Sequence, residues 1–119
     1  MENSIQNLTE AAEAIDNILR RSLMGVYLAL NTVAKVKYGI SFAELLFEDP
    51  EKAVKLVREY VANNEDSLIF IMRAALSALT NDREVLDEII DNMRRKDYSR
   101  MRELLIKAAS LPAYGAGSQ

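Results

Sequence analysis

The sequence contains no cysteine and no histidine. Disulfide bonds and zinc sites of the Cys/His type are therefore excluded. Catalysis by a Ser-His or Cys-His pair is excluded as well, because both depend on a histidine base. Only two prolines and four glycines occur among the 119 residues. Their scarcity leaves long stretches in which a helix can run without interruption.

Long apolar runs and excess charge are also missing. The formal net charge is −3, which is too small to imply a highly charged partner. The longest apolar window covers about 13 residues and contains Arg73, whereas a membrane-spanning helix needs ~20. The N-terminal stretch MENSIQNLTEAAE carries acids where a signal peptide needs a basic start and an apolar run. We therefore predict a cytoplasmic protein with no membrane partner and with no cofactor or metal site.

The composition is that of one folded domain. Half of the residues are hydrophobic and 28% are charged, which is ordinary for a globular protein. A chain of this length buries about two-thirds of the surface that its unfolded form exposes. We predict a single helical domain over residues 1–112 and a flexible tail over Ala113–Gln119.

The window Ser67–Leu79 (SLIFIMRAALSAL) is the most apolar part of the chain. A helix that is apolar almost all round has to be covered by other elements. Helix start signals flank this window, among them Asp49-Pro50-Glu51 and a capping box at Ser41–Glu44. The sequence thus predicts an all-α bundle of five or six helices around a central apolar helix, with further helices at about 41–47, 50–62, 82–96 and 98–110.

The first predicted helix is unusually long. It begins after Ser4 or Thr9 and runs to Tyr38, where Gly39 is a typical C-terminal cap. At 1.5 Å per residue it reaches about 50 Å, although a domain of this size is only ~35 Å across. Its second half is apolar around most of its circumference and is predicted to lie in the core.

The first half of that helix carries an apolar seam at heptad spacing. The seam consists of Ile5, Leu8, Ala12, Ile15 and Leu19. Two outcomes are open. The seam can pair with the same seam of a second copy, or the helix can break near Asn7 or Gly25 and fold the seam onto its own core. We predict the first outcome, a homodimer in which these five residues bind the partner.

The densest basic group spans the junction of the last two predicted helices. It consists of Arg94, Arg95, Lys96, Arg100 and Arg102. With Tyr98 among them, these cations indicate a possible nucleic-acid surface. The acidic net charge argues against that role, and cations near a helix C-terminus are stabilised in any case. Nucleic-acid binding is therefore the alternative and not the leading prediction.

The order of several short motifs resembles the archaeal Nitrosopumilus output domain family. The motifs are Ala14-Ile15, Val26-Tyr27, the Lys37–Ile40 stretch KYGI and the helix start Asp49–Glu51. The resemblance covers about residues 12–78, and a glycine-containing turn of the family is replaced by NNED at 63–66. It implies a helical domain that acts as an output or interaction module in archaeal signalling, and it brings no catalytic residue with it.

Together these observations predict a non-enzymatic protein-interaction or signalling output module. The prediction includes self-association through the N-terminal helix and an unknown protein partner. No residue is predicted to be catalytic, since no constellation of acids, bases and nucleophiles is apparent in the sequence.

Overall fold

A computed structural model of the chain describes residues 2–110, and side chains from residue 8 onwards. Within these residues the chain forms seven α-helices and no strand. They are α1 (Glu2–Ser22), α2 (Met24–Tyr38), α3 (Phe42–Glu48), α4 (Pro50–Tyr60), α5 (Glu65–Leu76), α6 (Arg83–Arg94) and α7 (Tyr98–Ser110). The predicted all-α class is confirmed. The predicted tail Ala113–Gln119 lies outside the described residues.

Side-chain caps start the helices from α3 onwards. Ser41 accepts a hydrogen bond from the amide of Glu44, whose carboxylate in turn accepts from the amide of Ser41, so that both free donors are satisfied. Carboxylate or amide oxygens accept from the first turns of the later helices, and they belong to Asp49, Asn64, Asp82 and Asp97. Asp82 is the N-cap of α6, and the helix begins at Arg83, one residue later than the predicted start at 82.

The predicted helix over residues 4–38 is two helices, because the chain breaks at Leu23. Leu23 has φ −141° and ψ 62°, outside the helical region. Its amide still donates to the carbonyl of Leu19 at 2.7 Å and its carbonyl accepts from Tyr27 at 2.8 Å, so the break is local. A rod of about 50 Å does not fit a body of 39 × 27 × 26 Å. The break lets both halves pack against one core.

Helix α1 has the widest set of neighbours. It packs against α2, α3, α5 and α7, whereas the main contacts of α5 are with α1 and α6. The predicted central position of Ser67–Leu79 is therefore not confirmed. Helix α5 also ends at Leu76, and the following Ser77–Leu79 form a turn in which Leu79 is still buried.

One apolar cluster holds the helices together and draws residues from all seven of them. Its largest fully buried members include Ile15, Leu30, Phe42, Leu56 and Leu76. The Cα radius of gyration is 13.3 Å, close to the ~13.5 Å typical of a compact domain of this length. Every helix in the described part of the chain is too short or too polar to cross a lipid bilayer.

Candidate functional site

The structure places the predicted partner-binding seam inside the chain's own core. Ala12 is 6% exposed, and Ile15 and Leu19 are not exposed at all. Leu8 is half-buried against the same cluster, and the side chain of Ile5 lies outside the described residues. The seam is buried because α1, separated from α2 at Leu23, lies against α3, α5 and α7. In this fold Ala12, Ile15 and Leu19 are covered without a second copy.

The outward side of α2 remains uncovered instead. Met24 and Leu28 are each 54% exposed and Val36 is 80% exposed, although all three are large apolar residues. Gly25 and Thr32 are exposed between them on the same side. On the opposite side, Tyr27, Leu30 and Ala34 are buried. We call the exposed set Met24, Gly25, Leu28, Thr32 and Val36 the outer face of α2.

Gly25 gives this face a flat point. A β-carbon at this position would meet no atom within 4 Å, so no contact of the chain itself requires a glycine there. Glycine in a helix costs about 1 kcal/mol relative to alanine. Its one structural effect here is a low spot on the outer face, where another backbone can approach closely.

The five predicted nucleic-acid residues differ in their partners. Arg100 forms ion pairs with Glu88 and Glu103, at 3.6 and 3.0 Å. Arg102 lies two residues further along α7, and residues two apart face different sides of a helix. Its Nε donates to the carbonyl of Phe47 at the end of α3, at 2.7 Å.

The other three cations lie at the C-terminal end of α6. Arg94, Arg95 and Lys96 are exposed, and Lys96 adopts a left-handed conformation with φ +64°. Its amide donates to the carbonyl of Met93 and closes the helix end. These cations therefore lie where helix carbonyls already favour positive charge.

An open cleft of about 520 Å³ lies between α1 and α3, with α7 at its edge. Its apolar lining includes Leu8, Ala12, Ile40 and Phe47. Its charged lining consists of four carboxylates and one guanidinium, those of Glu13, Asp16, Glu44, Glu48 and Arg102. We call this feature the α1–α3 cleft. Its volume falls within the 300–1,000 Å³ typical of small-ligand sites.

Asp16 is the least compensated group in the cleft. Its Oδ1 is inaccessible to solvent and is the one such side-chain atom without a hydrogen-bond partner in the described part of the chain. Burial raises the pKa of Asp16 above its ordinary 3.8, and the nearby carboxylates of Glu44 and Glu13 act in the same direction. Arg20 and Lys35 oppose the shift. The surroundings of Asp16 in the cleft thus disfavour its charged form.

Sequence reasoning missed this cleft. Both Glu13 and Asp16 are polar residues outside the apolar seam of the first helix, yet the structure exposes Glu13 and half-buries Asp16. The two α3 carboxylates are about 30 positions further along the chain, so no local spacing relates them to α1. The only sequence signal is that Asp16 directly follows the seam residue Ile15.

Comparison with protein-family models, with curated proteins and with solved structures finds no match to this chain. The resemblance to the archaeal Nitrosopumilus output domain family stays a prediction.

Proposed function

We propose that the protein is a non-enzymatic interaction module that self-associates through its N-terminal region. The contact surface is the outer face of α2 and not the seam of α1. The observation that carries this proposal is the exposure of Met24, Leu28 and Val36 on a helix whose opposite side is fully packed. Interaction sites are commonly marked by exposed apolar patches on otherwise soluble folds.

A second copy suits this face because an antiparallel pair is self-complementary. When the two-fold axis crosses the outer face of α2 at the level of position 30, Met24 lies opposite Val36 of the other copy and Leu28 lies opposite Thr32. The flat point at Gly25 then lies opposite Lys35, which leaves room for the lysine stem. Each copy thus contributes the apolar side chains of Met24, Leu28 and Val36 and a depression at Gly25.

Charge also favours the antiparallel arrangement. The only charged residues of α2 are Lys35 and Lys37. An antiparallel pair separates its two Lys35 residues by about 15 Å along the axis, since each lies five residues from the two-fold axis. That separation exceeds the ~8 Å screening length at physiological salt. A parallel pair would bring the two lysines together.

The proposed dimer is weak. A helix of 15 residues is about 22 Å long, and one pair of such helices buries less than the ~1,600 Å² of a standard interface. We expect a dissociation constant of roughly 10–500 μM, about 5–7 kcal/mol of binding free energy. Sedimentation velocity from about 10 μM to about 1 mM therefore shows a monomer that converts to a dimer.

The test uses one disrupting variant and one matched control. Leu28→Glu puts a charge in the middle of the outer face and abolishes the dimer. Phe70→Glu makes the same type of change at a residue of α5 that is 62% exposed, and it leaves association unchanged. A wild-type monomer throughout the concentration range contradicts the proposal, as does an equal loss in both variants.

The nucleic-acid alternative, an accessory protein that uses Arg94, Arg95, Lys96, Arg100 and Arg102, makes an opposite prediction. It requires salt-dependent retention on DNA or RNA that weakens when the exposed cations are replaced by alanine. The interaction proposal requires the same oligomer with and without nucleic acid. Retention of the protein on DNA or RNA at physiological salt would favour the nucleic-acid alternative over the interaction module.

A further inference from the structure

The α1–α3 cleft uses residues of α1, α3, α7 and the loop between α2 and α3, and none of the outer face of α2, so its role does not depend on the proposed dimer. Four carboxylates line it, and none of them belongs to any of the five ion pairs in the described part of the chain. Arg102 supplies one positive charge at the edge, where its Nε is held by the carbonyl of Phe47. The lining therefore carries an excess of three negative charges beside apolar side chains.

We propose that the α1–α3 cleft binds an aliphatic ammonium ion, with the ammonium group among its carboxylates and the alkyl chain on its apolar lining. Glu13 and Asp16 reach the cleft from α1, while Glu44 and Glu48 reach it from α3. Leu8, Ala12, Ile40 and Phe47 provide the surface for the alkyl part. A free aliphatic amine and a lysine side chain of another protein share this chemistry.

The carboxylates do not favour a metal ion. In the described part of the chain, no three acidic side chains come close enough to share one. Carboxylates that are spread over a cleft suit an elongated cation better than a compact one, because calcium and magnesium need several oxygens around one point. An anionic ligand is disfavoured, since a single arginine faces four acids.

The position of Asp16 shows what an ammonium ion would gain. One carboxylate oxygen is fully covered and lacks a hydrogen-bond partner, a situation that is unfavourable for a charged group. A cation in the cleft offsets that penalty through its charge, without having to contact the covered oxygen. The groups that act on Asp16 are Arg20 on α1, Lys35 on α2, and the acids Glu13 and Glu44.

Glu44 is unsuitable for a test because its carboxylate also accepts from the amide of Ser41 in the cap of α3. The double variant Glu13→Gln/Asp16→Asn removes two negative charges and keeps the size of both side chains. The double variant Glu84→Gln/Asp91→Asn makes the same charge change on α6, at two exposed residues without an ion pair in the structure. Backbone amide NMR spectra report whether each variant is folded.

The experiment titrates the whole protein with n-pentylamine, 1,5-diaminopentane and Nα-acetyl-lysine amide, and follows the amide resonances of α1 and α3. We expect saturable shifts at the cleft with each amine that it accepts. We also expect about a tenfold weaker affinity in Glu13→Gln/Asp16→Asn and a change below about twofold in the α6 variant. Binding of the lysine amide assigns the site to a protein side chain, whereas binding of the free amines alone assigns it to a small amine. Either result supports the proposal.

Three results would overturn it. Pentan-1-ol, which has the same chain without the charge, would bind as tightly as n-pentylamine if the cleft were only an apolar depression. Magnesium chloride would shift the same resonances with equal affinity if the carboxylates attracted any cation. A wild-type protein without saturable shifts up to about 10 mM amine would show that the cleft has no useful affinity for this ligand class.

Discussion

Helices α1 and α2 follow one another in the chain but treat their apolar residues in opposite ways. Helix α1 has a narrow apolar stripe. The structure packs the described part of that stripe against α2, α3, α5 and α7. Helix α2 is apolar around most of its surface and packs against α1, α3 and α4 on one side only. As a result the more apolar helix is the one that exposes large apolar residues to water.

The difference shows that the width of an apolar stripe and its burial are separate properties. A narrow stripe tells a helix which side to bury, because its other side is polar. In a helix without a polar side the sequence pattern does not indicate which side is buried, so the position of the neighbouring helices decides which residues stay exposed. In this protein Leu30 is covered and Leu28, two positions earlier, is not. Four changes test this contrast.

The largest effect is expected for Leu19→Glu. Leu19 is fully buried in the core, so the variant places an unpaired charge there, and we expect a loss of several kcal/mol or no folding at all. Leu28→Glu, the same change on the outer face of α2, shifts the free energy of unfolding by less than about 0.5 kcal/mol. Urea denaturation at low protein concentration measures both. A well-folded Leu19→Glu protein would mean that α1 is not packed as described.

The second change compares the two sides of α2. Leu30→Ala removes a fully buried side chain and is expected to cost about 2–5 kcal/mol, depending on how far the cavity collapses. Leu28→Ala removes the same atoms from a half-exposed position and is expected to cost under about 0.5 kcal/mol. Equal losses in the two variants would show that the outer face of α2 is covered within the chain.

Most of the fold follows from local signals. The caps at Ser41 and Asp49 have the predicted roles, and Gly39 ends α2 in the left-handed conformation. These features can be predicted from the sequence because each depends on residues within three or four positions. The break at Leu23 is different, since no proline or cap side chain marks it. The break is needed because both halves of the predicted long helix pack against the same core.

The candidate sites were less predictable for the same reason. The burial of Ile15 and Leu19 depends on where α3, α5 and α7 lie, which no heptad pattern contains. The cleft carboxylates come together only after α1 and α3 pack against each other. Arg100 and Arg102 are neighbours in the sequence, but the helix turns them towards different partners. Long-range packing therefore decided every site, while short-range patterns decided most helix ends.

The third change exchanges the two described glycines for alanine. Gly39 has φ +78°, and an alanine there is expected to cost about 1–2 kcal/mol, because the left-handed region is unfavourable for a residue with a β-carbon. Gly25→Ala is expected to stabilise by up to about 1 kcal/mol, since the added β-carbon meets nothing and favours the helix. Thermal unfolding gives both signs. Destabilisation by Gly25→Ala would indicate a hidden contact at the outer face of α2.

The smallest change concerns Asp16, on the buried side of α1. Because burial raises its pKa in the folded protein, the folded state keeps this proton at pH values where the unfolded state has released it. This carboxyl therefore lowers the free energy of unfolding as the pH rises from about 3.8 through the folded pKa. Asp16→Asn has no carboxyl to titrate and avoids this decrease. The free energy of unfolding of the variant therefore rises relative to that of the wild type as the pH rises. Solvent screening of the half-buried group keeps the gain below about 1 kcal/mol.

Urea midpoints from about pH 3 to pH 8 measure this gain as the difference between variant and wild type, which cancels the other titrating groups. Asp16→Leu separates two causes. It removes both the charge and the oxygen without a partner, so a larger gain than in Asp16→Asn assigns the excess to that oxygen. A difference that stays constant with pH would mean that folding leaves the pKa of Asp16 unshifted, and one that falls as the pH rises would mean that the folded protein stabilises the charged carboxylate. The buried side of α1 would then already hold a compensating charge, and Asp16 would gain less from a cation in the cleft.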